Sequence, residues 1–165
     1  MDFGRGSELE DVTVHRMTLM VPLAALTACG STAVPTGGVA VVQRYTALGS
    51  ALDAATRTWT DRVSALVTAG TDSVANETPF DNAYSQALQA FGTGLLGVQF
   101  PTSAQSDASA LVTAVTAVHT DLTAIVAGSG SASQFVGDEK KFQAAINVLQ
   151  TDLGLGTSTP IPKPT

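Results

Sequence analysis

The sequence is poor in the residues on which most protein chemistry depends. A single cysteine, Cys29, stands among 165 residues. One thiol excludes an internal disulfide framework and any multi-cysteine zinc site. Only 13% of the residues are charged and 5% are aromatic, whereas an average globular chain carries about 25% charged residues. The surface must therefore be made polar by Ser, Thr, Asn and Gln. The 8 Lys and Arg against 14 Asp and Glu give a formal net charge of −6. Nucleic-acid binding requires a concentration of cations to displace counterions from phosphates, and eight scattered basic residues do not supply it. Acidic membrane surfaces repel such a domain, so any membrane attachment must be apolar or covalent. What is abundant is apolar: 44% of the chain, enough to build a core and to exclude global disorder. The length fits one domain.

Met17 to Ala28 (MTLMVPLAALTA) is an apolar stretch with no charge. A membrane-spanning helix needs about 20 such residues, and a run of ~10–14 fits the apolar core of a signal peptide better. Pro22 within it further weakens a spanning helix. The stretch ends in Leu26-Thr27-Ala28-Cys29, followed by Gly30 and Ser31.

These residues resemble the lipobox of bacterial lipoproteins, in which Leu, a small residue and Ala or Gly precede a cysteine. The resemblance implies a diacylglycerol attached to the Cys29 thiol and cleavage between Ala28 and Cys29. Residues 1–28 are then a signal peptide, and the protein is held by its lipid at the outer face of the cell membrane. A signal peptide begins with a basic segment. Here only His15 and Arg16 precede the apolar run, and residues 2–11 carry Asp2, Glu8, Glu10 and Asp11. We therefore expect translation to start near Val12 or Val14. One acyl chain binds membranes reversibly, and the two or three chains of a lipoprotein make the anchor essentially permanent.

Residues 29–38, ending in GSTAVPTGG, read as a flexible tether. Residues 39–154 carry four apolar stripes at helical spacing. The first is Tyr45, Leu48, Leu52, Ala55, Trp59, Val63 and Leu66, within Val39 to Ala69. Asp53, Arg57 and Asp61 follow at i,i+4 on another face, and Gly70 is a stop signal. Residues 71–77 read as a loop, with Thr78 as N-cap and Pro79 as first helical residue. Phe80, Tyr84, Leu88, Phe91 and Leu95 make the second stripe. Gly92 and Gly94 within it permit close helix contact, fraying or a kink, and Pro101 enforces a break. The third stripe, with Ser103 or Ser106 as cap, is Ala108, Leu111, Val115, Val118, Leu122 and Ile125. The fourth, over Ser133 to Leu153, is Phe135, Phe142, Ala145, Ile146, Leu149 and Leu153, with Asp138 to Lys141 as a solvated face. Residues 155–165 read as a proline-rich, disordered tail.

Four amphipathic helices with short connections predict an all-α, antiparallel four-helix bundle with both chain ends at one end of it.

The residues of the bundle point away from an enzyme. Beyond the signal segment His119 is the only histidine, and it flanks the third stripe. Di-iron bundles use Glu-x-x-His pairs, and none occurs. There is no G-x-S-x-G elbow, P-loop, G-x-G-x-x-G or H-E-x-x-H. No cofactor, metal or nucleic-acid partner is expected. Tyr45 and Trp59 fall on the first stripe and read as core, with an aromatic-lined ligand pocket as the functional alternative. Two functions follow as expectations: a non-enzymatic binding or adaptor module of the cell envelope with a protein partner, or a carrier or sensor of a small apolar ligand held in the bundle core.

Overall fold

A computed structural model describes residues 36–156. The signal segment with Ala28, Cys29, residues 30–35 of the tether and the proline-rich tail from residue 157 lie outside the described residues. The remainder is an all-α four-helix bundle. Helix α1 spans Thr36–Thr68, α2 Val74–Leu96, α3 Gln105–Val126 and α4 Ala132–Asp152, and a single 3₁₀ turn, Thr102–Ala104, precedes α3.

The stripes form the core. Tyr45, Leu52, Trp59 and Val63 of α1 are buried, as are Tyr84, Leu88, Phe91 and Leu95 of α2. Leu111, Val115, Val118 and Leu122 of α3 meet Phe135, Phe142, Ile146 and Leu149 of α4. Each of these fully buried leucines holds about 2–5 kcal/mol against truncation to alanine. The helix ends are set by glycine. Gly70, Gly128 and Gly154 have φ of 64°, 73° and 70°. At each, the glycine amide and the next amide turn back onto the final turn, as in Thr71 N to Leu66 O and Gly70 N to Val67 O. This is the Schellman arrangement, which satisfies carbonyls that helix ends leave bare.

Several boundaries differ from the sequence reading. Helix α1 begins at Thr36, so Gly37 and Gly38 belong to its first turn and the tether is shorter than residues 29–38. Helix α2 begins not at Thr78 but after Ser73, whose Oγ accepts from Asn76 N at 3.3 Å. Pro79 lies inside the helix, and Thr78 turns its hydroxyl back to Val74 O at 2.6 Å. Neither Ser103 nor Ser106 caps α3; the chain enters it through the 3₁₀ turn that follows Pro101. Ser131 caps α4. The glycines of α2 serve close approach: a Cβ at Gly92 would lie 3.1 Å from Val115 of α3, and one at Gly94 would lie 2.4 Å from Leu48 of α1.

The packing is sequential, α1 on α2, α2 on α3 and α3 on α4, whereas no Cα of α1 comes within 8 Å of one in α4. A side-chain contact bridges that wider seam, where Gln150 of α4 hydrogen-bonds the Tyr45 hydroxyl; Tyr45 also packs edge-on against Phe100 of the α2–α3 connection. The stretch Thr102–Val126 is the one helical segment among the described residues long and apolar enough to cross a membrane by length and composition. Its apolar stripe is the surface on which α2 and α4 pack.

Candidate functional site

Charge is distributed unevenly along the bundle. In the half that contains the start of α1 and the end of α4, the tether half, only Arg44, Asp107 and Asp152 are charged among the described residues. All other charged residues described lie in the distal half. Some of them point inward, which the stripe reading missed. Glu77, Asp81 and Asp121 are buried, as is the uncharged Gln150 in the last turn of α4. Each lies in phase with an apolar stripe, as Glu77, Asp81, Tyr84 and Leu88 do on α2. That phase was the available signal.

The distal interior is organised around Trp59. Its indole is stacked on Tyr84 at 5.0 Å between centroids, and Nε1 donates to Asp81 Oδ1 at 2.7 Å. Burial raises the Tyr84 pKa, the nearby Glu139 carboxylate adds to the rise, and a hydrogen bond with Thr56 opposes it. Glu139 is itself pushed up to about 7 by burial. Across the α3–α4 seam, Asp121 accepts from Gln134 Nε2 at 2.7 Å. Burial first, then the charge of Asp138, raises the Asp121 pKa. The hydrogen bond from Lys141, at 2.6 Å, does most to hold Asp138 low. The expectation that residues 138–141 form a solvated face is therefore corrected: Asp138 and Glu139 turn toward the bundle, and Lys140 and Lys141 remain exposed. The correction has a geometric reason, since Glu139 falls three residues before Phe142 and shares its side of the helix.

Both aromatic residues singled out for ligand binding are core residues, Tyr45 at 2% and Trp59 at 3% exposure. Their rings and polar atoms are engaged by Phe100, Gln150, Tyr84 and Asp81. His119 is half-buried beside the α3 stripe. Among the described residues no group of three or more His, Cys, Asp or Glu side chains could hold a metal ion.

The open space lies at the other end. Where α1 and α4 diverge, a groove of about 820 Å³ opens between the first turns of α1 and the last turn of α4, floored by the α2–α3 connection. Val41, Val42, Val98, Pro101 and Leu153 form its apolar walls, with Arg44 and Asp152 among the residues that border it. Gly38 and Ala40 line it too and leave space by their small size. A second recess, of about 710 Å³, lies on the other side of the same connection, between Leu96 and Val112. Leu96 is 74% exposed and Val39 45%, so large apolar side chains reach solvent at this end. A hydrogen bond to Asp152 holds the Asp107 carboxyl above its ordinary pKa. Compared with known proteins, the chain matches no family model, no curated protein and no solved structure.

Proposed function

We propose that this chain is an exported lipoprotein, anchored through Cys29 at the outer face of the cell membrane, whose bundle is a non-enzymatic binding or adaptor module of the envelope. The observation that carries the reading is Leu26-Thr27-Ala28-Cys29 at the end of a short apolar run. Its position relative to the fold supports the same reading. Cys29 precedes Thr36, the first residue of α1, by seven residues, which span at most about 25 Å when fully extended. A lipid on Cys29 keeps the start of α1 within that distance of the bilayer, and the half that begins there is the charge-poor, apolar one. With the bundle standing on that end, the distal half faces away from the membrane, where its charged helix faces are open to an envelope protein. The second reading, a carrier of an apolar ligand, is favoured by the groove at the tether end and not by the packed surroundings of Trp59.

The test is the intact mass of the protein extracted from membranes of a lipoprotein-processing bacterial host. The expected product begins at Cys29 and carries diacylglycerol, and Cys29→Ser abolishes both cleavage and lipid. An unmodified full-length cytosolic product overturns the reading.

A further inference from the structure

We infer that the groove at the tether end takes up one acyl chain of a membrane glycerophospholipid, with Arg44 at its rim placed for the lipid phosphate; the inference rests on the anchoring reading above. Three observations converge on this ligand. The walls are aliphatic and contributed by three separate segments, Val41 and Val42 of α1, Val98 and Pro101 of the connection, and Leu153 of α4. These side chains offer contact to a hydrocarbon chain, and Gln99, Ser103, Arg44 and Asp152 supply the polar part of the lining. The volume, about 820 Å³, falls within the ~300–1,000 Å³ of small-molecule sites, and the open side accommodates a ligand whose head stays in water. The charge pattern fits as well. Among the described residues Arg44 is the single cation of the tether half, and its side chain is exposed at the groove.

Position distinguishes this occupant from a protein helix or a second copy of the chain. With Cys29 seven residues before α1, the groove stays beside the bilayer surface, where lipid is present at high effective concentration. The core leaves the groove open because α1 runs apart from α4 along their seam, and Gly38 and Ala40 in the first turns of α1 add little side-chain bulk to it.

The test uses the full chain expressed in a lipoprotein-processing host and purified from membranes. It is placed in vesicles of phosphatidylglycerol and phosphatidylethanolamine that contain a phospholipid with a photoactivatable diazirine in its acyl chain. After irradiation, labelled peptides are mapped by mass spectrometry and Cys29 is weighed in the same sample. We expect label on residues 38–44, 98–103 and 152–155, about tenfold above the distal loops at 70–73 and 127–131, the ratio that corresponds to ~1.4 kcal/mol of preference. Val42→Asp is expected to remove that excess. Arg44→Gln, at an exposed position, is expected to lower it without altering the unfolding transition. Label spread evenly over both ends, label confined to residues 29–37, or crosslinks between copies of the chain would each overturn the inference. If Cys29 carries diacylglycerol and the groove is unlabelled, the groove assignment falls and anchoring stands. If Cys29 is bare and the groove is still labelled, anchoring falls and the groove stands.

Discussion

Glu139 is drawn against the bundle on the side of Tyr84, and its burial pushes its pKa from 4.5 to about 7. The folded chain therefore holds this proton more tightly than the unfolded chain does. The stabilisation is full below pH 4.5 and is lost as pH rises through about 7, because over that window the unfolded state has already released its proton. Glu139→Gln cannot ionise. Its unfolding free energy is expected to vary less between those two pH values, and at pH 8 to exceed that of the parent by about 1–3 kcal/mol. Urea titrations at several pH values measure this, and parallel pH profiles for the two proteins would contradict it. The neighbouring Trp59–Asp81 hydrogen bond, at 2.7 Å and buried, makes a different prediction. Asp81→Ala leaves the indole N–H without its acceptor inside the core and is expected to cost about 1–3 kcal/mol. Asp81→Asn retains an acceptor oxygen and should cost less. The fluorescence of Trp59, the only tryptophan, reports both through the same unfolding curves.

Thr and Ser supply the polar surface of the helices in a particular way. The hydroxyls of Thr113, Thr116, Thr120 and Thr123 in α3 each donate to the carbonyl four residues back, and Thr56, Thr58, Thr60 and Thr68 do so in α1. Such bonds satisfy the hydroxyl but slightly destabilise the helix, and threonine has low helix propensity. Thr116→Ala on the exposed face of α3 is therefore expected to raise stability by ~0.3–0.7 kcal/mol. Glycine gives a sharper contrast between elements. A Cβ at Gly137 within α4 meets nothing within 4 Å, whereas one at Gly130 would lie 2.5 Å from the backbone nitrogen of Ile125. Gly137→Ala should stabilise by about 0.5–1 kcal/mol, and Gly130→Ala should destabilise, because backbone cannot move aside. Thermal unfolding of the two variants decides it, and equal shifts in one direction would defeat the argument. At this scale the sequence was informative about helices and less so about their ends. The stripes follow from the 3.6-residue period alone, and all four entered the core. The start of α2 was misplaced because Thr78-Pro79 has the form of a cap while Ser73 makes the hydrogen bond. The buried acids were missed because polar residues were read as outward whatever their phase. The groove had no sequence signal, since it arises from the separation of α1 and α4 and not from any one segment.

Across the whole molecule the tether half and the distal half differ in charge, in exposed apolar side chains and in open volume. A helix of 33 residues such as α1 is about 50 Å long at 1.5 Å per residue, so the two ends of the bundle are separated by more than the ~25 Å reach of the tether. A lipid-anchored bundle can thus stand on its tether end or lie along the membrane, and the charge distribution decides between these. Lying flat would press the charged faces around Arg57, Asp61 and Lys140 toward the headgroups, with loss of hydration that pairing does not recover. Standing places Val39, Leu96 and Pro101 there instead. The orientation can be read with one probe, because lipid on Cys29 would consume the chain's single thiol and leave an introduced cysteine uniquely reactive. Gln99→Cys, in the connection at the tether end, and Asp72→Cys, in the loop at the distal end, are both exposed positions. Labelled with an environment-sensitive dye and reconstituted in vesicles, Gln99→Cys is expected to show a blue-shifted emission that a membrane-embedded quencher reduces. Asp72→Cys should emit as in water and be reached only by an aqueous quencher. Equal membrane quenching at both positions would mean that the bundle lies flat, and the division between its halves would then need a cause other than the bilayer.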